Sequence, residues 1–375
     1  MIKREWGLLL PALLLALAPA VASEVHFSGS AYLDYWSLSS RTARESAFAG
    51  FTPELAVKID ADVHEALAFS GKVCFGCHGV EIERAYLDYT PKNTFNVQLG
   101  RIPVPFGDFM LRADPANHRA ASKPLIYEMG RMAYYGTNAF NLGVVPAPYV
   151  DTGVLVYGQT WIGSKAQVWY GGYLISGLKG SATGAIDYQS MRSAYYVDNN
   201  KTPAGGGRAV VTVASESLGA VFKDISVGAS GMYGRYDPQS QRAFLAVGLD
   251  VSARVGPLTL HTEFANLLRE VDPAGTYQFE LRDPFVQKVG FYFEVEHPLG
   301  RYLVLAYRLD GLRRVGVTFL DSDPQLSSRS SILRYTQALQ VLIGDAFFAK
   351  LTYEYWRPTD YAAFHSGHLG LGGTF

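Results

Sequence analysis

The feature that most limits this chain is a two-residue period, sustained over segments of ten residues or more and repeated to the last residue. In Leu258-Thr259-Leu260-His261-Thr262-Glu263-Phe264, Leu258, Leu260 and Phe264 share one face, while Thr259, His261 and Glu263 share the other. Val289, Phe291, Phe293 and Val295 alternate with Gly290, Tyr292, Glu294 and Glu296. Leu351, Tyr353 and Tyr355 alternate with Lys350, Thr352 and Glu354. A period of two belongs to strands, whose successive side chains leave opposite faces of the pleat. Grease on one face and charge on the other is what lipid outside and water inside require of a spanning strand. A soluble sandwich also alternates, but its strands usually run to about five or six residues.

Turn signals let the strands be counted. Short polar turns stand at His64-Glu65, Lys92-Asn93, Gly163-Ser164, Lys223-Asp224, Gly256-Pro257, Leu299-Gly300 and Asp345-Ala346. Between them lie longer segments at 40–50, 102–149, 180–207, 237–241, 272–284, 317–330 and 359–363. This alternation predicts an all-β transmembrane antiparallel β-barrel of about 16 strands, with short periplasmic turns and long outer loops. The expected strands are 25–38, 51–63, 66–75, 79–91, 94–101, 150–161, 166–178 and 208–222 in the first half. The second half gives 225–236, 242–255, 258–271, 286–298, 302–316, 331–344, 347–357 and 365–375. Closure follows because an open edge in hydrocarbon leaves backbone groups without partners, at several kcal/mol each. The tail His368-Leu369-Gly370-Leu371-Gly372-Gly373-Thr374-Phe375 resembles the C-terminal signal of bacterial outer-membrane barrels, ending on an aromatic residue.

The N-terminus points to the same compartment. Lys3 and Arg4 precede an apolar run, Leu8 to Leu17, and Ala20-Val21-Ala22 offers a small-residue cleavage site. A signal peptide over residues 1–22 is expected, leaving 23–375 as one barrel domain. The apolar run is shorter than the roughly 20 residues a spanning helix needs. A net charge of −1 gives no electrostatic case for nucleic acid. The 38 glycines, 24 tyrosines and 21 phenylalanines suit a sheet with aromatic girdles at two membrane interfaces.

The segment 102–149 is longer than any hairpin needs. It carries Arg112, His118, Arg119, Lys123 and Arg131 against Asp108, Asp114 and Glu128, together with Phe106, Phe109, Met110, Leu111, Leu125 and Ile126. A long loop with this much grease is expected to fold inward and narrow the pore or line a site. The expected lumen face is mixed in charge: Lys58, Asp60, Glu263, Glu294, Glu296, Arg308, Asp310, Lys350 and Glu354.

Arg84-Ala85-Tyr86-Leu87-Asp88-Tyr89, then Val97-Gln98-Leu99-Gly100-Arg101, then Val104-Pro105-Phe106-Gly107, resembles the signature of the phosphate-selective porin O/P family. The match covers about residues 80–107 and implies a 16-stranded outer-membrane pore. That family's dense lysine and arginine ladder has no counterpart here, so phosphate selectivity is not part of the implication.

The only two cysteines fall in Cys74-Phe75-Gly76-Cys77-His78. This C-x-x-C-H spacing suits two thioethers to a haem and an imidazole on its iron. The reading places a covalent haem c on Cys74, Cys77 and His78, near the outer mouth. Candidates for a sixth iron ligand are Met129, Met132, His118 and Met110. A second reading is a Cys74–Cys77 disulfide in a hairpin loop, since the periplasm is oxidising. Zinc lacks a second ligand pair. The string and the barrel together resemble outer-membrane cytochrome–porins, which implies electron transfer across the membrane to a periplasmic cytochrome. In that group the motif precedes the barrel, whereas here it interrupts the third and fourth strands. The alternative is a passive diffusion porin for small solutes. No enzyme is expected, since Asp114 with His118 is a poor hydrolytic pair. Membrane lipid, small solutes and a homotrimer complete the expected partners.

Overall fold

The computed structural model describes residues 24–38, 50–76, 79–128, 132–135, 138–141, 143–180, 198–214, 221–271, 279–281, 284–315, 317–319, 331–359 and 362–375. The expected signal peptide lies outside them. The first strands are β1 (Glu24–Leu38), β2 (Gly50–His64), β3 (Leu67–Gly76), β4 (Gly79–Lys92) and β5 (Phe95–Pro103). A short hairpin, β6 (Met132–Tyr135) with β7 (Asn138–Asn141), precedes β8 (Val150–Ile162), β9 (Ala166–Ile175), β10 (Ala204–Ala214) and β11 (Phe222–Arg235). Then come β12 (Ala243–Val255), β13 (Leu258–Glu270), β14 (Phe279–Leu281), β15 (Phe285–Leu299) and β16 (Leu303–Val315). The chain ends with β17 (Val317–Phe319), β18 (Ser331–Ile343), β19 (Phe347–Pro358) and β20 (Phe364–Thr374).

Sixteen of these strands form one closed antiparallel barrel; β6–β7 and β14–β17 are separate two-stranded ribbons in the loops. The seam is β1 against β20, running from Ser30↔Thr374 to Leu38↔Ser366. Past the last paired residue, Gly29 and Phe375 exchange backbone hydrogen bonds of 2.9 and 3.1 Å. The terminal aromatic therefore completes the ladder, and no barrel edge stays open to lipid.

The dyad pattern sorts side chains as the alternation requires. Leu99, Leu174, Leu249, Phe293, Leu351 and Leu369 are exposed on the outer wall. Across the pleat, Glu263, Glu294, Arg308, Asp310, Arg334 and Glu354 are buried inside. Such a wall is stable only in a bilayer, and the chain is an outer-membrane β-barrel. Both termini and the tight turns share one end. Gly256, in the turn from β12 to β13, has φ 56°, a left-handed conformation that glycine adopts without strain.

The expected strands match the observed ones within three residues except the eighth, expected over 208–222: it begins at Ala204 and runs to Ala214, and 215–220 lie outside the described residues. The glycine run Gly205-Gly206-Gly207 reads as loop in the sequence but is strand here. The Tyr173 ring on neighbouring β9 lies over Gly206, where a Cβ would collide with its hydroxyl. The turn expected at Lys223-Asp224 falls inside β11, where the register shifts between Phe222 and Asp224. A bulge and a turn share the same polar signals, and local sequence does not separate them.

Candidate functional site

After β5 the chain does not continue along the wall. Its backbone turns at Gly107 (φ 73°), whose N–H donates to Ser230 Oγ on β11 at 3.1 Å. A side chain here would strike the Tyr127 hydroxyl and the Glu263 carboxylate, so the position requires glycine for space as well as for conformation. Two short 3-10 turns follow, Phe109–Arg112 and Leu125–Tyr127.

Glu263 on β13 is the first anchor. It accepts from the Phe109 N–H at 2.5 Å, the Tyr127 hydroxyl at 2.5 Å and the Tyr292 hydroxyl at 2.7 Å. Phe109 stacks on Tyr127 with ring centroids 5.2 Å apart. A buried carboxylate is costly unless its lone pairs are satisfied, and three donors meet that need. Burial and the neighbouring Glu263 push the Tyr127 phenol well above its ordinary pKa, so it stays a donor.

A second anchor is a chain of charges on β15, β16, β18 and β19. Arg308 reaches Glu294 at 3.1 Å and Asp310 at 3.0 Å, and also donates to the Ser122 and Lys123 carbonyls at 3.1 and 3.2 Å. Arg334 reaches Asp310 at 3.1 Å, Glu354 at 3.2 Å and Glu128 at 3.4 Å, and donates to the Lys123 carbonyl at 2.5 Å. Its guanidinium lies 4.8 Å from the Trp356 ring centre. The Leu125 N–H donates to Asp310 at 2.9 Å, and the Ser122 hydroxyl bonds Glu354. Lys350 donates to the Pro115 carbonyl at 2.5 Å.

Two further arginines come from the segment itself. Arg112 meets Asp108 at 3.2 Å and Glu294 at 3.5 Å, while Arg119 meets Glu296 at 2.9 Å and Gln340 at 2.9 Å. Burial opposes the Arg112 charge, but Tyr292, Glu294, Asp108 and Glu296 together hold its pKa above the ordinary value. On the far side Asp114 pairs with Lys72 of β3, which also holds Glu83 at 2.7 Å. The segment is thus tied to walls on both sides of the lumen. Around it Ile102, Phe106, Phe109, Ile126, Val144, Tyr173, Met232 and Phe244 form an apolar core inside the barrel. Toward the end bearing the tight turns the inner wall is polar and half-exposed. Lys58 pairs with Asp60 there at 2.6 Å, and Asp88 accepts from Gln98 at 3.0 Å and Tyr157 at 2.9 Å.

Of the C-x-x-C-H string, Cys74, Phe75 and Gly76 are among the described residues. Cys74 is a regular residue of β3, opposite Ala56 on β2 and Glu81 on β4, and its thiol is buried and free. Two residues earlier on the same inner face of β3, Lys72 is buried and holds Glu83 at 2.7 Å. Pairing continues to Gly76↔Gly79; Cys77 and His78 lie outside the described residues. Of the expected sixth ligands, Met110 packs against the apolar core. His118 is buried, with Nδ1 2.7 Å from the Ala120 carbonyl. Burial, then the nearby Lys350, Lys123 and Arg308, push its pKa well below the ordinary imidazole value. Met132 begins β6, opposite Asn141, and Met129 lies outside the described residues. Asp114 and His118 serve different contacts and form no catalytic pair. The inward-facing wall residues Arg208 and Arg334 are not among the lumen residues read from the sequence; the alternation of β18 is the signal that supplies Arg334.

Closed walls, an apolar exterior and a segment fastened inside together define an outer-membrane porin-type barrel. No protein-family model matches the chain, and comparison with curated proteins gives no match. Solved structures do match in fold. An anion-selective porin from Comamonas acidovorans is similar at TM-score 0.58 and 12% identity, over 94% of this chain and 99% of that one. A loop L8 deletion mutant of OmpT, an outer membrane protein of Vibrio cholerae, is similar at TM-score 0.55 and 12% identity, over 94% and 100% of the two chains. OmpT in a trimer form gives TM-score 0.53 at 9% identity, over 94% and 99%.

These findings correct three expectations. Resemblance to the phosphate-selective porin O/P family is overturned, because no family model matches and the shared property is the general porin fold. The cytochrome–porin resemblance falls as well: the similar structures are described as an anion-selective porin and an outer membrane protein, and Cys74 is an ordinary strand residue opposite Glu81. Covalent haem c, electron transfer and the periplasmic cytochrome partner are withdrawn with it. Among the described residues the grouping of possible metal ligands is Glu24, His26 and Asp62, at the end of the barrel that bears the tight turns.

Proposed function

We propose that this barrel is a passive diffusion channel for small solutes, with the segment from Val104 to Tyr149 as its constriction. The observation that carries the reading is the set of ties across the lumen, from Lys72–Asp114 on one wall to Arg334–Lys123 and Lys350–Pro115 on the other. A chain held by buried charge-assisted bonds narrows a pore without being able to drift out of it. Arg112, Arg119, Asp114 and Glu128 of the segment each meet a wall group of opposite sign, so a size filter is a better description than a single-sign field. The similar structures include a porin described as anion-selective.

The same reading includes a homotrimer. One similar structure is a trimer form. On this chain, an apolar groove of about 940 Å³ runs outside the seam, lined by Ala31, Leu33, Pro53, Leu55, Phe75 and Phe375. Small residues there leave a hollow that a second copy fills better than disordered lipid chains. Unheated electrophoresis should report three copies.

The channel is tested by purified protein in a planar bilayer and by swelling of liposomes in neutral sugars. Discrete conductance steps and size-limited swelling are expected. A barrel that gives neither, while running as folded on unheated gels, would overturn the reading.

A further inference from the structure

Between the fastened segment and the tight turns, the inner wall of the adjacent strands β4, β5, β8 and β9 differs in chemistry from the far side of the lumen. The ladder sets Asp88 opposite Gln98, and Gln159 opposite Trp169. Tyr157 follows Leu155 by two residues on β8, and Trp169 precedes Tyr173 by four on β9. Both rings therefore share the lumen face with these two core side chains. Gln167, two residues before Trp169, shares it as well. Asp88 is the one charge among these six side chains, whereas β15, β16, β18 and β19 present Glu294, Arg308, Asp310, Arg334 and Glu354.

The two rings form a platform, and the backbone leaves room for it. Tyr157 and Trp169 have ring centroids 6.4 Å apart, with planes inclined at 31°. Gly171 stands directly opposite Tyr157, and the indole of Trp169 leans along β9 to lie over it. A Cβ on Gly171 would come within 2.9 Å of Trp169 Cη2, so any larger residue lifts the indole off the wall. Both aromatic residues are half-buried and keep part of their surface toward the channel water. Aromatic surface left wet inside a pore is a cost that a solute resting on it removes.

The polar groups beside the platform are set for hydroxyls. Asp88 accepts from the Tyr157 hydroxyl at 2.9 Å and from Gln98 Nε2 at 3.0 Å. These bonds hold the carboxylate at the edge of the platform and leave it lone-pair capacity for a further donor. Gln167 donates to Gln159 at 3.1 Å, and Gln159 is exposed to the lumen. An amide both donates and accepts, as a hydroxyl does. Ring faces are electron-rich and suit weakly positive C–H groups. A solute with an apolar C–H face and a rim of hydroxyls fits both features, and a neutral sugar is such a solute.

We propose that Tyr157 and Trp169, with Asp88, Gln98, Gln159 and Gln167, form a weak subsite for neutral sugars on the periplasmic side of the constriction. The subsite deepens the diffusion reading and rests on it, since it names one class of solute that the channel holds in transit. Its openness is in keeping with passage, because conduction requires a solute to leave as readily as it enters.

The test adds maltotriose to the purified full-length channel in a planar bilayer and reads the current noise. Noise that rises and saturates with maltotriose is expected, while a polyethylene glycol of equal mass, which lacks vicinal hydroxyls, shows no saturation. Trp169→Ala should raise the half-saturating sugar concentration about tenfold, the scale of one lost aromatic contact, and Trp169→Phe should recover most of the loss. Asp88→Asn should raise it in the same direction, and Lys58→Gln, on β2 away from the rings, should leave it unchanged. Heat-modifiable migration on gels confirms that each barrel is folded. Equal half-saturation in parent, Trp169→Ala and Asp88→Asn would overturn the subsite. So would noise from choline with none from maltotriose, which would make the rings and carboxylate a cation site. Open-channel steps without sugar noise overturn the subsite alone, whereas a folded barrel with no steps at all strikes the channel reading and the subsite together.

Discussion

Replacing Arg334 by methionine isolates the strongest tie between the wall and the internal segment. The guanidinium is fully buried and contacts Asp310, Glu354 and Glu128, while donating to the Lys123 carbonyl at 2.5 Å. Methionine keeps most of the volume and removes the charge. Breaking one partner out of a buried ion network costs about 3–5 kcal/mol, because the remaining charges are left uncompensated. Part of that cost is borne by the wall, since Arg308 still serves Asp310 and His368 and Ser366 still face Glu354. The Lys123 carbonyl keeps only the longer 3.2 Å bond from Arg308. Taking about 3 kcal/mol as the share that holds the segment, its local opening becomes easier by roughly two decades, at 1.4 kcal/mol per decade. Amide hydrogen exchange reads this directly, because the Leu125 N–H is protected by Asp310. Its exchange should rise about a hundredfold in Arg334→Met, while the Ala209 amide on the β10–β11 wall keeps its protection. Single channels should show larger, noisier steps. Unchanged protection at Leu125 together with unchanged conductance would refute the claim that buried charge holds the segment in place.

Acid should loosen the same segment through His118. Its folded-state pKa lies below the ordinary value near 6.5, so the undocked segment binds more protons. Docking stability is therefore full above about pH 6.5 and is lost as pH falls below it. His118→Asn, which can still donate to the Ala120 carbonyl, should flatten the difference in Leu125 exchange between pH 7.5 and pH 5.5; an equally steep profile in the variant would exclude His118 as the source. On the outer wall, Leu249 sits at the middle of β12 and is exposed to lipid. Leu249→Arg should destabilise the barrel by about 2–4 kcal/mol, seen as a lower urea midpoint for refolding into lipid vesicles. An unshifted midpoint would mean that this face does not meet the bilayer core.

How far the sequence alone could reach depends on the range of each interaction. Strand, face and count are legible because alternation and turn chemistry are local: Leu258 to Phe264 announces its two faces within seven residues. The placement of β10 is not, since Gly205-Gly206-Gly207 is strand through its pairing with β9 and β11, and the need for glycine at Gly206 comes from Tyr173 on the next strand. The internal ties were less legible still. Arg334 meets Lys123 and Glu128, partners more than two hundred positions away, and nothing near any of them names the others. The cysteine string failed for the opposite reason. Its spacing is a local signal, but spacing alone does not fix the backbone on which it is displayed. Haem attachment needs both thiols and the imidazole brought to one porphyrin. In β3 the backbone is extended, so Cys74 faces the lumen beside Lys72 and Glu83 while Phe75 turns outward to lipid. The barrel's hydrogen-bond closure fixes that alternation for every residue up to Gly76. The first cysteine of the string is therefore governed by the pleat of β3 before any chemistry its spacing suggests.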